Sequence, residues 1–278
     1  ANVAWQLGRR CGLTDSRLWK GPAMSKETLQ GKIIVVVGAS AGIGLATSKQ
    51  CAQDGATVIM LARGADRLEA AASSVGDQAI PVPCDITDPS SVTAAFATVE
   101  QRFGHLDVLL NVAGAARIRR IEDASDDDIN FVVGVNLLGP IYTTRAAIPL
   151  MRAAGGGDIV NVSSEIVQDY FPRMVLYGAS KAGLDSFSRM MSHELKAENI
   201  RVTRYTSGSV ADTAFSDNFA EGEIEHVYAE WQESGYLTRV AGPGMEAAWM
   251  AEAIVFAITR PRGQMIDVIH VRSFSPGT

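Results

Sequence analysis

A short β-branched run, Ile33-Ile34-Val35-Val36-Val37, passes directly into Gly38-Ala39-Ser40-Ala41-Gly42-Ile43-Gly44, and a helix-forming stretch follows at once. Few local patterns restrict a fold as tightly. Glycines permit the sharp turn from strand to helix and let backbone amides come close to a charged group. The unpaired amides and positive end of the helix then favour an anion such as a pyrophosphate. Gly38, Ser40, Ala41, Gly42, Ile43 and Gly44 are therefore candidate cofactor-binding residues.

The rest of the chain repeats the same rhythm. Strand candidates at 33–37, 57–61, 80–83, 107–111, 158–162, 201–205 and 264–271 alternate with helical stretches near 43–54, 65–75, 88–103, 125–153, 176–197 and 244–259. That alternation predicts an α/β chain of Rossmann type, with a doubly wound, parallel, seven-stranded sheet in a single domain. Ser125 followed by Asp126, Asp127 and Asp128 reads as a helix cap with acids in the first turn. Pro140 is expected to break or kink the 125–153 stretch, because proline lacks the amide that the helical ladder needs.

Two segments break the rhythm. Residues 1–23 carry Arg9, Arg10, Arg17 and Lys20 with Trp5 and Trp19, and are read as an extension, either upstream of a start at Met24 or an arm. The main domain is then 24–278. Residues 209–242 lack a strand pattern and are read as a substrate lid. Phe215, Phe219, Tyr228, Trp231 and Tyr236, with Tyr170 and Phe171, either line a pocket for a bulky apolar substrate or pack the lid.

Composition narrows the function classes. The 278 residues carry a formal net charge of −6, with lysines and arginines scattered and not gathered into a stripe, which argues against a nucleic-acid surface. No apolar run approaches the ~20 residues of a membrane span. The three cysteines show no paired framework, as expected of a cytoplasmic protein. The four histidines have no metal-binding spacing, and no Gly-x-Ser-x-Gly elbow presents a serine nucleophile.

The second strand ends in Leu61-Ala62-Arg63, where an acid would bind the ribose 2′-hydroxyl of NAD. Arg63 instead suits a 2′-phosphate, the alternative being an ordinary solvated side chain like Arg67 one turn further on, and the cofactor is read as NADP, with NAD possible.

Further along come Cys84-Asp85-Ile86, Asn111-Val112-Ala113-Gly114, Asn136, Ser163-Ser164 and Tyr177-Gly178-Ala179-Ser180-Lys181. From about Lys32 to Val271 the chain resembles the short-chain dehydrogenase/reductase family, with motifs in the family's order and spacing. Positions four apart share a helix face, so the Tyr177 phenol and Lys181 ammonium can meet. Lowering a phenol's pKa from about 10 to neutrality needs about 4 kcal/mol of differential stabilisation, towards which Lys181 and a nicotinamide cation both push. Ser164, thirteen residues before Tyr177, ends a buried strand; its neighbour Ser163 points to the other face by alternation.

The resemblance implies a ketone or secondary-alcohol substrate and a set of roles. Ser164 binds the substrate oxygen, Tyr177 transfers the proton, Lys181 holds the nicotinamide ribose and Asn136 positions a water. Asp85 and Ile86 border the adenine, Asn111, Ala113 and Gly114 line the central cofactor region and support the sheet, and Gly208 and Val210 meet the nicotinamide. It also implies a homo-oligomer, dimer or tetramer, built through the helices near 125–153 and 176–197. Val37, Val112 and Ser207 depart from the family's usual threonine, asparagine and proline, and Thr213 stands one residue late. An NAD-dependent alcohol dehydrogenase and a non-catalytic NADP-binding regulator are the rival readings.

Overall fold

The computed structural model describes residues 27–169, 171–211, 213, 215, 219, 223–235 and 244–274. The 1–23 extension, Met24, Tyr170, Tyr236 and much of 209–242 lie outside the described residues.

Seven strands form one parallel sheet: β1 (Ile33–Val37), β2 (Thr57–Ala62), β3 (Ala79–Pro83), β4 (Val108–Asn111), β5 (Gly157–Ser164), β6 (Ile200–Ser207) and β7 (Val268–Val271). Their spatial order is β3-β2-β1-β4-β5-β6-β7. Helices α1 (Gly42–Gln53), α2 (Ala65–Val75) and α8 (Ala247–Ile258) cover one face, and α3 (Pro89–Phe103), α5 (Gly139–Ala153) and α6 (Val175–Glu194) cover the other.

Strand alternation builds two cores from the same residues. Ile33, Val35 and Val37 of β1 join Phe96, Val99 and Leu150 on one face, while Ile34 and Val36 join Cys51, Leu68, Met250 and Ile254 on the other. All five β1 residues are buried. This explains why the central strand reads as an unbroken apolar run, without polar alternation.

The strand order reverses beside β1, where β4 follows β3 in sequence but lies across the sheet from it. Open α/β sheets bind ligands at such a switch point, outside the carboxyl ends of the strands.

Three expectations change. The 125–153 stretch is not broken at Pro140: α4 (Asp126–Val133) runs through a π-helical turn, Gly134–Leu138, into α5. Pro140 sits in the first turn of α5, where its missing amide costs least. The combined stretch Asp126–Ala153 is long and apolar enough to cross a membrane by length and composition, contrary to the sequence reading. Half of its apolar window is buried inside the protein, as in a core helix.

The strand expected over 264–271 is reduced to β7, and in the segment before it the carbonyls of Arg260, Pro261 and Gln264 accept from Nη1 of Arg201. The segment after β6 also contains a helix, α7 (Glu223–Glu233), which the sequence pattern did not predict.

Capping chemistry is as read: the Ser125 side chain accepts from the Asp128 amide while the Asp128 side chain accepts from the Ser125 amide.

Candidate active site

At the carboxyl end of β1, the glycine loop is packed so closely that side chains are excluded. Gly38 has φ +83°, and a Cβ there would lie 2.8 Å from the Ala113 backbone. A Cβ on Gly44 would lie 2.2 Å from the Gly38 carbonyl oxygen. The loop is thus pressed between the end of β4 and the first turn of α1. That helix has no side-chain cap at Ala41, so its first amides are left to face the cleft.

The cleft that opens here has a volume of about 1020 Å³ and extends from Arg63 to Tyr177. Gly38, Ser40, Ala41, Gly42, Ile43 and Gly44 line it, together with Arg63, Asp85, Ile86, Ala113, Gly114, Ser164, Tyr177, Lys181, Gly208 and Val210. Backbone amides at a helix start, beside a loop of glycines and small residues, fit the pyrophosphate of a dinucleotide.

Two guanidinium groups, Arg63 and Arg67, stand at the far end. Arg63 lies 5.6 Å from the Phe131 ring centroid, and Arg117 lies 4.3 Å from the same ring. Phe131, which the sequence reading missed, therefore holds a guanidinium by its π-face. The Asp85 carboxylate accepts from both the amide and the hydroxyl of Thr87, which fixes the turn after β3.

At the other end, β5 delivers Ser164 and α6 delivers Tyr177 and Lys181. Tyr177 is 8% exposed and Lys181 2% exposed. Lys181 Nζ donates to the Val162 carbonyl at 2.7 Å and stands 5.9 Å from the Tyr177 ring centroid. Burial pushes the Lys181 ammonium down to about 8, with Asp185 opposing.

Burial dominates the Tyr177 phenol in the free protein. It pushes the phenol up to about 12, the hydrogen bond to Ser164 pulls it down, and the charge of Glu165 raises it further. A further positive charge in the cleft would lower it towards the range that proton transfer needs.

Two expected residues lie outside the cleft lining. The Asn111 side chain donates to Asn161 Oδ1 and accepts from the Thr143 hydroxyl, so it braces the sheet to α5 below the site. Asn136, in the π-helical turn, is fully buried. Its amide donates to Ala115 O and Ser180 Oγ, and its oxygen accepts from Ala115 N. Both amide hydrogens are committed, so its side chain has no donor left for a water.

The region after β6 keeps its place despite Ser207. Val210 bridges Met245 in parallel, with Met245 N donating to Ser209 O and Ala211 N to Met245 O. Thr213 lines the cleft, its Cγ2 3.1 Å from where a Cβ on Gly42 would sit, although its sequence spacing looked late.

Beyond Tyr177 the wall turns aromatic. Phe215 lies 5.3 Å from the Tyr177 ring and 5.5 Å from Phe219, while Phe171 meets Trp231 edge-on at 5.8 Å. Helix α7 is fastened to the loop before α6 by Arg173 Nε to Glu230 Oε2 at 2.7 Å and by Trp231 Nε1 to Pro172 O at 3.1 Å. Phe171, Phe215, Phe219, Tyr228 and Trp231 all line the cleft, so these aromatics both pack α7 and bound the pocket.

The sequence reading also missed Glu165, the residue after Ser164. It is 6% exposed and lines the cleft. Burial pushes its carboxyl up to about 7, Arg272 draws it down and Asp169 raises it. A charged residue directly after the strand-end serine was the available signal.

Comparison with known proteins agrees with this geometry. A family model described as short chain dehydrogenase matches residues 32–224. An uncharacterized oxidoreductase of Staphylococcus epidermidis is 27% identical over 241 residues, covering 87% of this chain and 96% of that protein. One from Staphylococcus aureus is 28% identical over 245 residues, covering 88% and 98%. Among solved structures, a metagenomic short-chain oxidoreductase in complex with NADP aligns with TM-score 0.74 at 25% identity, over 90% of this chain and all of that one. A 3-ketoacyl-(acyl-carrier-protein) reductase from Brucella melitensis, complexed with NADH, aligns with TM-score 0.76 at 27% identity, over 88% and 98%.

Proposed function

This chain belongs to the short chain dehydrogenase family, and we propose that it is an NADP-dependent oxidoreductase that interconverts a ketone and a secondary alcohol. The observation that carries the reading is the single cleft that holds the glycine loop and Arg63 at one end and Ser164, Tyr177 and Lys181 at the other.

The loop amides from Gly38 to Gly44 would hold the pyrophosphate, Arg63 a 2′-phosphate, Asp85 and Ile86 the adenine edge, and Ala113, Gly114, Lys181, Gly208 and Val210 the nicotinamide half. The bound nicotinamide supplies or accepts the hydride. Ser164 orients the carbonyl oxygen, and Tyr177 gives its proton to that oxygen in reduction and takes it back in oxidation. Fixed donors aimed where charge develops are the protein's main contribution.

Asn136 acts by placing Ala115, and through its own backbone carbonyl. There it would hold a water that relays protons towards Lys181.

Exposed Leu138, Val175 and Met190, at 39, 56 and 60% on the helices expected to pair, support a homo-oligomer. The substrate is read as bulky and apolar from the aromatic wall, with 209–242 as its lid.

The test follows NADPH absorbance against a ketone panel with wild type and Tyr177→Phe. Expected is turnover by wild type, with a loss of about 10²- to 10⁴-fold in the variant and cofactor binding retained. Binding without turnover by wild type on any ketone, in either direction and with either cofactor, would favour a non-catalytic regulator.

A further inference from the structure

We propose that Glu165 is a specificity-determining residue whose carboxyl receives a hydrogen-bond donor, ammonium or hydroxyl, carried by the substrate close to the carbonyl that Ser164 and Tyr177 address. The inference rests on the ketone reading above and narrows its substrate class.

Position comes first. Glu165 follows Ser164 at the mouth of β5 and opens the 3₁₀ turn Glu165–Val167, so its backbone is anchored by the sheet. Its Oε2 lies over the Gly208 backbone, 3.2 Å from where a Cβ on that glycine would project, with the Arg272 backbone on the other side. Any side chain at 208 would push the carboxyl away. Its charge reaches the Tyr177 phenol.

Satisfaction comes second. Among the described residues the Glu165 carboxyl makes no hydrogen bond and no ion pair, although it is 6% exposed. Arg272, Asp169 and Tyr177 are close enough to influence it electrostatically, and His270 shares Arg272 and Asp169 as neighbours. Its oxygens are not sealed off from solvent but open to the cleft, where a donor on the substrate can replace water. An internal brace would show a bonded partner, and this group shows none.

The surroundings supply the third point. On the substrate side of Tyr177 the wall is Ile166, Phe171, Met174, Phe215, Phe219 and Trp231, and Glu165 is the charged member of the lining there. A carboxyl acceptor beside these aromatic walls discriminates, since a ligand without the donor displaces its water and leaves the acceptor unpaired. Aromatic faces also tolerate a cation.

The experiment compares propiophenone, α-hydroxypropiophenone and α-aminopropiophenone as substrates with NADPH, in wild type and Glu165→Gln. The expected result is that wild type prefers one donor-bearing ketone by at least tenfold in kcat/KM, mainly through KM, and that the preference collapses in the variant. Whichever derivative is preferred identifies the donor. Equal use of all three ketones by wild type, or a preference retained by Glu165→Gln, overturns the proposal.

A second measurement does not depend on turnover. The corresponding alcohols are titrated calorimetrically into the NADP⁺-loaded Tyr177→Phe protein, with and without Glu165→Gln. Tighter binding of the donor-bearing alcohol that Glu165→Gln abolishes supports the proposal, and its absence overturns it. If wild type reduces none of these three ketones, the ketone panel above decides the ketone reading and the titration alone decides the role of Glu165.

Discussion

Asn136 grips both sides of Ala115: its Oδ1 accepts from the Ala115 amide at 3.0 Å and its Nδ2 donates to the Ala115 carbonyl at 2.7 Å. The grip comes from a π-helical turn, whose extra residue rotates the side chain off the regular helical face. The chain leaving β4 is thereby fixed beside the cleft.

Asn136→Ala removes these two bonds and a third to Ser180. Two buried groups, the Ala115 amide and carbonyl, lose their partner, each at about 1–3 kcal/mol, with partial relief if water enters, while the Ser180 hydroxyl keeps its bond to the Tyr177 carbonyl. We expect a loss of at least 2 kcal/mol, read from the urea midpoint, together with reduced turnover. A variant as stable as wild type would show that the grip is dispensable.

Arg63→Ala tests the cofactor end. A charge-assisted bond contributes about 1.5–3 kcal/mol, which corresponds to roughly a 10- to 150-fold rise in the NADPH dissociation constant. NADH affinity should change less than about threefold, because it lacks the 2′-phosphate. Fluorescence titration with both nucleotides decides, and unchanged NADPH affinity would remove the argument for NADP.

Gly44→Ala places a Cβ 2.2 Å from the Gly38 carbonyl, and backbone cannot yield as a flexible side chain would. The loop must shift, so nucleotide affinity should fall at least tenfold with a lowered thermal midpoint. Gly263→Ala is the control, since a Cβ there meets nothing within 4 Å. Equal behaviour of the two variants would refute the packing account.

The Tyr177 phenol, raised to about 12 by burial, should stay neutral in the free protein where an ordinary tyrosine of pKa about 10 ionises. Adding NADP⁺ brings a positive charge that favours the phenolate, so its titration should move down. The tyrosinate ultraviolet signal, taken as wild type minus Tyr177→Phe with and without NADP⁺, reads this. A phenol already titrating below 10 in the free protein would contradict it.

At the opposite end of the sheet, Arg201 holds buried Asp158 through Nε at 2.6 Å and Nη2 at 3.1 Å, and it also ties down three carbonyls. Arg201→Met should cost about 3–5 kcal/mol, since it strands a buried carboxylate, and Arg262 Nη2, 3.0 Å from Asp158, moderates the loss. Chemical denaturation measures it. A cost below 1 kcal/mol would mean that Arg262 alone suffices.

What the sequence determined about this protein is whatever depends on neighbours along the chain. Strand and helix periods, the glycine turn after Ile33–Val37, the Ser125 cap and the four-residue spacing of Tyr177 and Lys181 are written within a few positions of each other, and the fold follows from their alternation. Tertiary structure decided what depends on groups brought together from afar. Of the two roles read for Asn111, lining the cofactor and supporting the sheet, its side chain takes the second through Thr143 and Asn161, and Pro140 looked like a break until a π-helical turn absorbed it. Glu165 shows in the sequence only as a charge after the strand-end serine, because no local pattern reveals that its carboxyl will lie over Gly208. The Tyr177 phenol rises in the free protein because desolvation sums over every atom packed around it, whereas sequence separation reports only one neighbour.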